Sequence, residues 1–319
     1  MHGLFTLKGR AYERSICKGG LLHKLASLTV LVVVATLLAA GFVAVQPQQA
    51  HAASAVNKKL LSATYYDDDK TKTKTIKKYD ITGDGKADTI KLQAGDGKVC
   101  VYVGGTLRGT VKYSSAYHYE VKYLCTSNGH PFLLVEASGE SSGTYALLQY
   151  KSGAFKKVVT NSYVPKSYGD PTSIDAAWAS GKQVKVRFES STNLAGLVQF
   201  TYTYNWKGGT LKRASATAPI VSVQIVSNGY VKMKSASKTW LTLVTSVKLR
   251  KTAGGSSTVT TAATGTKVKL VSVRVKSGKL YFKLKTASGK QGWLKGKGSY
   301  TSGDLLGMTI FDETVVWDY

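Results

Sequence analysis

Over much of the chain, apolar and polar residues alternate in short stretches. Lys98-Val99-Cys100-Val101-Tyr102-Val103, Val184-Lys185-Val186-Arg187-Phe188 and Lys267-Val268-Lys269-Leu270-Val271 show the pattern. Neighbouring side chains of an extended strand point to opposite faces, so this alternation buries one face and hydrates the other. Gly-containing turns separate the stretches, and no long 3.6-residue apolar period interrupts them. The pattern therefore predicts an all-β protein of short strands. One segment departs from it. Leu25 to Val45 is an uncharged apolar run, preceded by Lys8, Arg10, Arg14, Lys18 and Lys24 and followed by Pro47 and Ala50-His51-Ala52. A basic leader, an apolar core and small residues two apart form the layout of a secretory signal helix, with cleavage expected before Ala53. Left uncleaved, a run of this length would be a transmembrane helix, since about 20 apolar residues span a bilayer. Either way the expectation is a protein secreted or displayed at the cell surface, with residues 1–52 as signal peptide or membrane anchor.

Export sets how the charge is read. The chain carries +26, of which residues 1–52 account for +4, so +22 remains beyond them. Outside a cell such a surface draws polyanions: teichoic acid, anionic lipid head groups or free nucleic acid. Charge alone gives nucleic acid only salt-sensitive, sequence-blind affinity, so no specific nucleic-acid role is expected. Contact with the membrane is expected only through the N-terminal segment. Cys17 falls in the leader. Cys100 and Cys125 both lie in strand-like segments, and in an oxidising compartment they are a disulfide candidate. The alternative is two small buried hydrophobes.

In the segment Tyr79-Asp80-Ile81-Thr82-Gly83-Asp84-Gly85-Lys86-Ala87-Asp88-Thr89-Ile90, oxygen donors recur at Asp80, Thr82 and Asp84, and Asp88 closes the set. Calcium takes six to eight hard oxygen ligands, which short aspartates on a tight loop can supply, with Lys86 offering its carbonyl. Lys91 stands where an EF-hand needs a bidentate Glu. The nine-residue form resembles the loops of FG-GAP/VCBS-type repeats, which implies a propeller-like extracellular setting and a calcium ion on Asp80, Thr82, Asp84, Lys86 and Asp88. Thr82 replaces the usual Asp or Asn. A Gly-Asp-Gly hairpin turn with incidental acids is the other reading. The run Asp67-Asp68-Asp69 reads as a solvated loop.

Further on, Leu148 to Lys157 parallels Thr203 to Arg213, each an aromatic strand, a two-residue turn with glycine, and a basic strand. A β-sheet domain over residues 57–218 is expected, partly propeller-like but too short to close a ring. Tyr113, Tyr117, Tyr119 and Tyr123 would line a carbohydrate face or pack the sheet.

The tract Ser246 to Lys295 holds Val247-Lys248-Leu249-Arg250, then Gly254-Gly255-Ser256-Ser257-Thr258-Val259 and Gly265-Thr266-Lys267-Val268-Lys269-Leu270. Tyr281-Phe282-Lys283-Leu284 and Gly289-Lys290-Gln291-Gly292-Trp293-Leu294 follow. In order and spacing these pieces resemble a bacterial Src-homology-3-like (SH3b) domain. Independently of that likeness, five alternating strands predict a small barrel filled by Val247, Leu249, Val268, Leu270, Phe282 and Leu284. The resemblance implies an SH3-like barrel over residues 219–303, attachment to peptidoglycan or another wall component, and ligand contacts from Tyr281, Trp293, Lys248 and Arg250. Lys248, Lys251 and Gly255 depart from the family pattern. Between Thr217 and Tyr319 there are sixteen Lys/Arg against four Asp/Glu, which suits an anionic wall polymer. Residues 304–319 are expected to form a final strand or tail.

Catalysis is not expected. Beyond the leader only His118 and His130 could assist Cys100 or Cys125, and neither cysteine lies in a nucleophile motif. No His-x-His or His-Glu-x-x-His is present for zinc. A glycosidase would need two facing carboxyls, for which Glu136, Glu140, Asp170 and Asp175 are the nominees. The expectation is an exported envelope-binding protein, with a cell-wall hydrolase as the alternative.

Overall fold

The computed structural model describes residues 54–64, 71–113, 118–139, 143–160, 173–192, 194–227, 230–277, 279–296 and 309–314. Those residues are all-β and contain no helix. The apolar run Leu25 to Val45, Cys17, Asp67-Asp68-Asp69, Tyr117, Glu140, Asp170 and residues 297–308 and 315–319 lie outside them. Residues from Ala52 onward belong to one compact unit.

Strand β1 (Val56–Thr64) leads into the meander β2 (Lys72–Ile76), β3 (Ile90–Gly95), β4 (Lys98–Val103) and β5 (Thr106–Lys112). A second run follows: β6 (His118–Cys125), β7 (Pro131–Ser138), β8 (Gly143–Lys151) and β9 (Ala154–Thr160). Strands β2 to β5 form a four-stranded antiparallel sheet, whereas β1 pairs with β6 at the edge of a five-stranded sheet ordered β1-β6-β7-β8-β9. The first region is therefore two sheets, and the alternation of each strand explains how they pack. On the five-stranded sheet Val121, Tyr123, Leu133, Val135, Ala146 and Leu148 join Ile90, Leu92, Val99 and Val101 in one core. Leu124, Phe132, Leu134, Leu147 and Val159 face the other way, into a second core. The five-stranded sheet is thus buried on both faces.

The second core is covered by β10 (Ser173–Ser180), β11 (Gln183–Thr192), β12 (Gly196–Lys207), β13 (Thr210–Arg213) and β14 (Thr217–Ser227), while β15 (Tyr230–Ser235) pairs with β14 and is exposed throughout. Continuous with these are β16 (Leu241–Thr242), β17 (Val247–Arg250), β18 (Thr258–Ala262), β19 (Lys267–Lys276), β20 (Lys279–Thr286) and β21 (Gln291–Lys295). All twelve belong to one sheet network running β10-β11-β12-β14-β19-β20-β21-β17-β18, with β13, β15 and β16 attached at the sides.

The junction is β14. Its first residues, Thr217 to Pro219, pair with β19, while Ile220, Ser222 and Val223 pair with β12, and Ser222 to Ser227 with β15. Proline has no N–H to give a ladder, which suits Pro219 to the place where the strand changes partner. The division at residues 218/219 read from sequence falls inside this strand.

The two parallel sequence segments are both hairpins. Lys151 pairs with Ala154 across Ser152-Gly153, and Lys207 with Thr210 across Gly208-Gly209. Both turns hold positive φ at both central positions, the condition of a type I′ turn. Of the segment 304–319, expected as a final strand or tail, only Thr309 to Thr314 are described. They form a strap with one bridge to the sheet among the described residues, Leu243 to Phe311.

Candidate functional site

Strands β17, β21 and β20 lie side by side, with Arg250 opposite Trp293 and Lys283 opposite Trp293 on the other flank. Their inward residues, Val247, Leu249, Phe282 and Leu284, together with Val268 and Leu270 of β19, are all buried. The other face carries Tyr281, Trp293, Arg250 and Lys295. Tyr281 and Trp293 pack together with Ala253 in a small cluster of their own. A cavity of about 470 Å³ opens here, lined by Thr245 to Lys248, Arg250, Gly254 and Gly255, Tyr281, Trp293 to Lys295, Leu194 and Ile310. All four residues singled out from sequence, Tyr281, Trp293, Lys248 and Arg250, line it. Among the described residues three cations stand on this lining, and no carboxylate does.

The rim is fixed by specific contacts. Arg250 Nη1 donates to the Ser256 carbonyl and to the Thr258 hydroxyl (2.8 Å), holding the Gly254–Thr258 loop against β17. Lys276 Nζ donates to the Ala253 carbonyl (3.2 Å) and ties down the loop's start. Gly292 permits β21 to lie flush on β17, because a Cβ there would stand 2.6 Å from Leu249 Cβ. Sequence reasoning missed Lys295, Leu194 and Ile310. Strand alternation could have placed Lys295 on the face of Trp293, but no local signal marks the other two, which arrive from the β11–β12 turn and from the strap.

The aspartate loop has a different character. Ile81 and Thr82 N–H donate to Asp88 Oδ2 (2.7 and 2.9 Å), Gly83 N–H to Asp80 Oδ1 (2.6 Å) and Gly85 N–H to Asp80 Oδ2 (2.8 Å). Asp84 Oδ1 accepts from Lys86 N–H (2.8 Å). The Thr82 hydroxyl lies between Asp80 Oδ1 (3.4 Å) and Asp88 Oδ1 (3.5 Å). Among the described residues no group of three or more His, Cys, Asp or Glu side chains is arranged to hold a metal ion. Tyr123 donates its hydroxyl to the Asp80 carbonyl (2.9 Å) and stacks on Tyr79 at 4.5 Å, and Tyr113 meets Tyr119 at 4.8 Å. Tyr119 and Tyr123 are buried, so these rings pack the sheet to the loop rather than facing outward.

The disulfide candidate is corrected. Cys100 and Cys125 are free thiols on different sheets. Cys100 Sγ lies 3.8 Å from the Thr110 hydroxyl, and Cys125 Sγ donates to the Thr126 carbonyl (3.5 Å). Strand alternation placed both in strands, but it does not say which strands are neighbours. Burial raises the Cys125 thiol pKa, which further removes it from nucleophile chemistry.

Of the nominated acids, Asp175 is paired with Arg187. Glu136 lies opposite Glu120 across β6 and β7, 3.7 Å from Lys122 Nζ. Burial raises the Glu136 carboxyl above its usual range. Burial also opposes ionisation of Glu120, but hydrogen bonds from Lys122 and Lys59 (each 2.7 Å) outweigh it and hold that carboxyl low. His118 meets the Thr64 hydroxyl (3.2 Å), and His130 packs on Trp206 at 4.7 Å. Comparison of the chain with known protein families, with curated proteins and with solved structures finds no match to any of the three.

Proposed function

We propose that this is an exported, non-catalytic protein that binds an anionic polymer of the cell envelope, peptidoglycan or teichoic acid, in the basic pocket. The observation that carries the reading is the lining itself: Lys248, Arg250 and Lys295 beside Tyr281 and Trp293, with no acid among the described lining residues. Cations recruit phosphate or carboxylate, and aromatic faces accept the apolar side of a sugar or polyol. The surrounding strands are proposed as an SH3-like barrel of the SH3b kind, and the stacked sheets before them as a partial propeller-like arrangement. Sedimentation with purified walls, before and after teichoic acid is stripped, tests the proposal. Co-sedimentation without released sugar or peptide supports it, and protein left in the supernatant of both wall preparations would end it.

For the aspartate loop the proposal is one calcium ion, held by Asp80, Thr82, Asp84 and Asp88 with the Lys86 carbonyl. Its support is the approach of Asp80 and Asp88 to a shared hydroxyl, with lone pairs beyond those given to the amides. Asp84 gives only Oδ1 to the Lys86 N–H, which leaves Oδ2 to join.

The second reading is a wall hydrolase. The opposed pair Glu120 and Glu136, with carboxyl pKa values pushed apart, is the observation in its favour. Lys59 and Lys122 already engage Glu120. Soluble wall fragments that disappear in Glu136→Gln would establish it.

A further inference from the structure

We infer that the pocket is a composite site walled by the C-terminal strap Thr309 to Thr314, and that Glu313, which lies outside the pocket, is the positioning residue that keeps this wall in place. The inference rests on the binding reading above. Leu194 and Ile310 both line the cavity, yet neither belongs to the tract from Ser246 to Lys295. They are tied to each other, since Ile310 N–H donates to the Leu194 carbonyl (3.2 Å). The Ile310 carbonyl in turn accepts from Val244 N–H (3.0 Å), just ahead of the lining residues Thr245 to Lys248. Leu194 is itself fixed by its turn, in which the Thr192 hydroxyl donates to the Gly196 carbonyl (3.0 Å) and accepts from Ala195 N–H (3.1 Å).

With one sheet bridge among its described residues, the strap has little ladder to hold it. The Glu313 carboxylate adds a two-point clasp on one residue: Oε2 accepts from Thr242 N–H and Oε1 from the Thr242 hydroxyl, both at 2.7 Å. Around it, Asp312 N–H donates to the Thr242 carbonyl (3.0 Å) and Val226 N–H to the Glu313 carbonyl (2.9 Å). Hydrogen bonds to an ionised acceptor are the strong ones. Thr242 sits on β16, three residues before Thr245, so the clasp fixes both the strap and the start of the facing wall. A wall held in place before binding spares the ligand the cost of ordering it.

The test uses the full chain, purified teichoic acid as probe, and the variants Glu313→Ala, Glu313→Gln and Thr242→Val. Affinity is expected to fall about tenfold in Glu313→Ala, and by less in Glu313→Gln, which keeps one acceptor oxygen. Thr242→Val, which removes only the hydroxyl half of the clasp, should lose about threefold. The dependence of affinity on salt should stay that of the parent chain in all three, because the pocket cations are untouched. Amide exchange at Val244, Asp312 and Val226 should quicken in Glu313→Ala while β20 stays protected. Parent-like affinity in Glu313→Ala or Thr242→Val overturns the inference, and so does an altered salt dependence, which would mean the pocket itself had collapsed. If the parent chain does not bind teichoic acid, the variants are compared on stripped walls; if it binds neither while exchange responds as expected, the binding reading fails and the inference with it.

Discussion

In the loop from Tyr79 to Ile90 the charged groups turn back on their own backbone, whereas around β17, β20 and β21 they face an open cavity. Asp80 and Asp88 each accept two amide hydrogens from within the loop. Lys248, Arg250 and Lys295 stand together on the cavity lining, with no acid among the described lining residues. The difference follows from side-chain length. A carboxylate one carbon from its Cα reaches amides a few residues along and competes for them. Lysine and arginine carry their charge on long stems, so they project it away from the strand. Clustered acids in a short loop are therefore weak pointers to a ligand, because the turn itself can use them. Clustered bases on one strand face find fewer acceptors nearby. Arg250 spends Nη1 on the Ser256 carbonyl and the Thr258 hydroxyl, and Lys248 and Lys295 are the ones the proposal leaves for a partner.

Five variants sharpen or break that contrast: the Asp88 and Asp84 pair first, then the others in order of their expected effect on stability. Asp88→Ala strands two amides, one of them on the fully buried Ile81, and should cost about 3 kcal/mol in urea unfolding with a chelator present. An unchanged midpoint would show that the carboxylate is free for a metal after all. The same comparison with Asp84→Ala, whose one backbone bond lies in an exposed turn, should show a loss of about 0.5 kcal/mol. Calcium binding would appear as a rise in melting temperature that Asp84→Ala abolishes. Next, Gly292→Ala forces a Cβ against Leu249 and should cost about 2 kcal/mol while also lowering wall binding.

Glu120→Gln should cost about 1 kcal/mol at neutral pH. The folded-state pKa of Glu120 is held below its ordinary value of 4.5, so its ionised form contributes stability above that value. The contribution is lost as pH falls through the folded pKa. The difference between variant and parent should therefore shrink on acidification, and a constant difference would exclude the ion pairs as its cause. Smallest in stability, Lys248→Glu combined with Lys295→Glu should shift unfolding by no more than about 0.5 kcal/mol, yet release the protein from walls. Retained binding would remove the pocket from the proposal.

Much of this was legible in the chain. Alternation placed Val247, Leu249, Val268, Leu270, Phe282 and Leu284 in the interior, and all six are buried. Tyr281, Trp293, Lys248 and Arg250, named as ligand contacts only through the resemblance to SH3b domains, all line one cavity. Both repeated hairpins form at their glycine turns. Partnership between distant strands was not legible. A strand's pattern says which face is buried but not which strand lies beside it, so β1 pairing with β6, and the separation of Cys100 from Cys125, left no local trace. The contributions of Leu194, Ile310 and Glu313 are hidden for the same reason.

Strand β14 serves β12, β15 and β19 at once. Tension applied at the pocket would pass through β19 and β14 into the β10–β12 sheet by way of backbone hydrogen bonds, with no slack tether in the path. Mechanical resistance and thermal melting on either side of Pro219 should then rise and fall together, as one cooperative block.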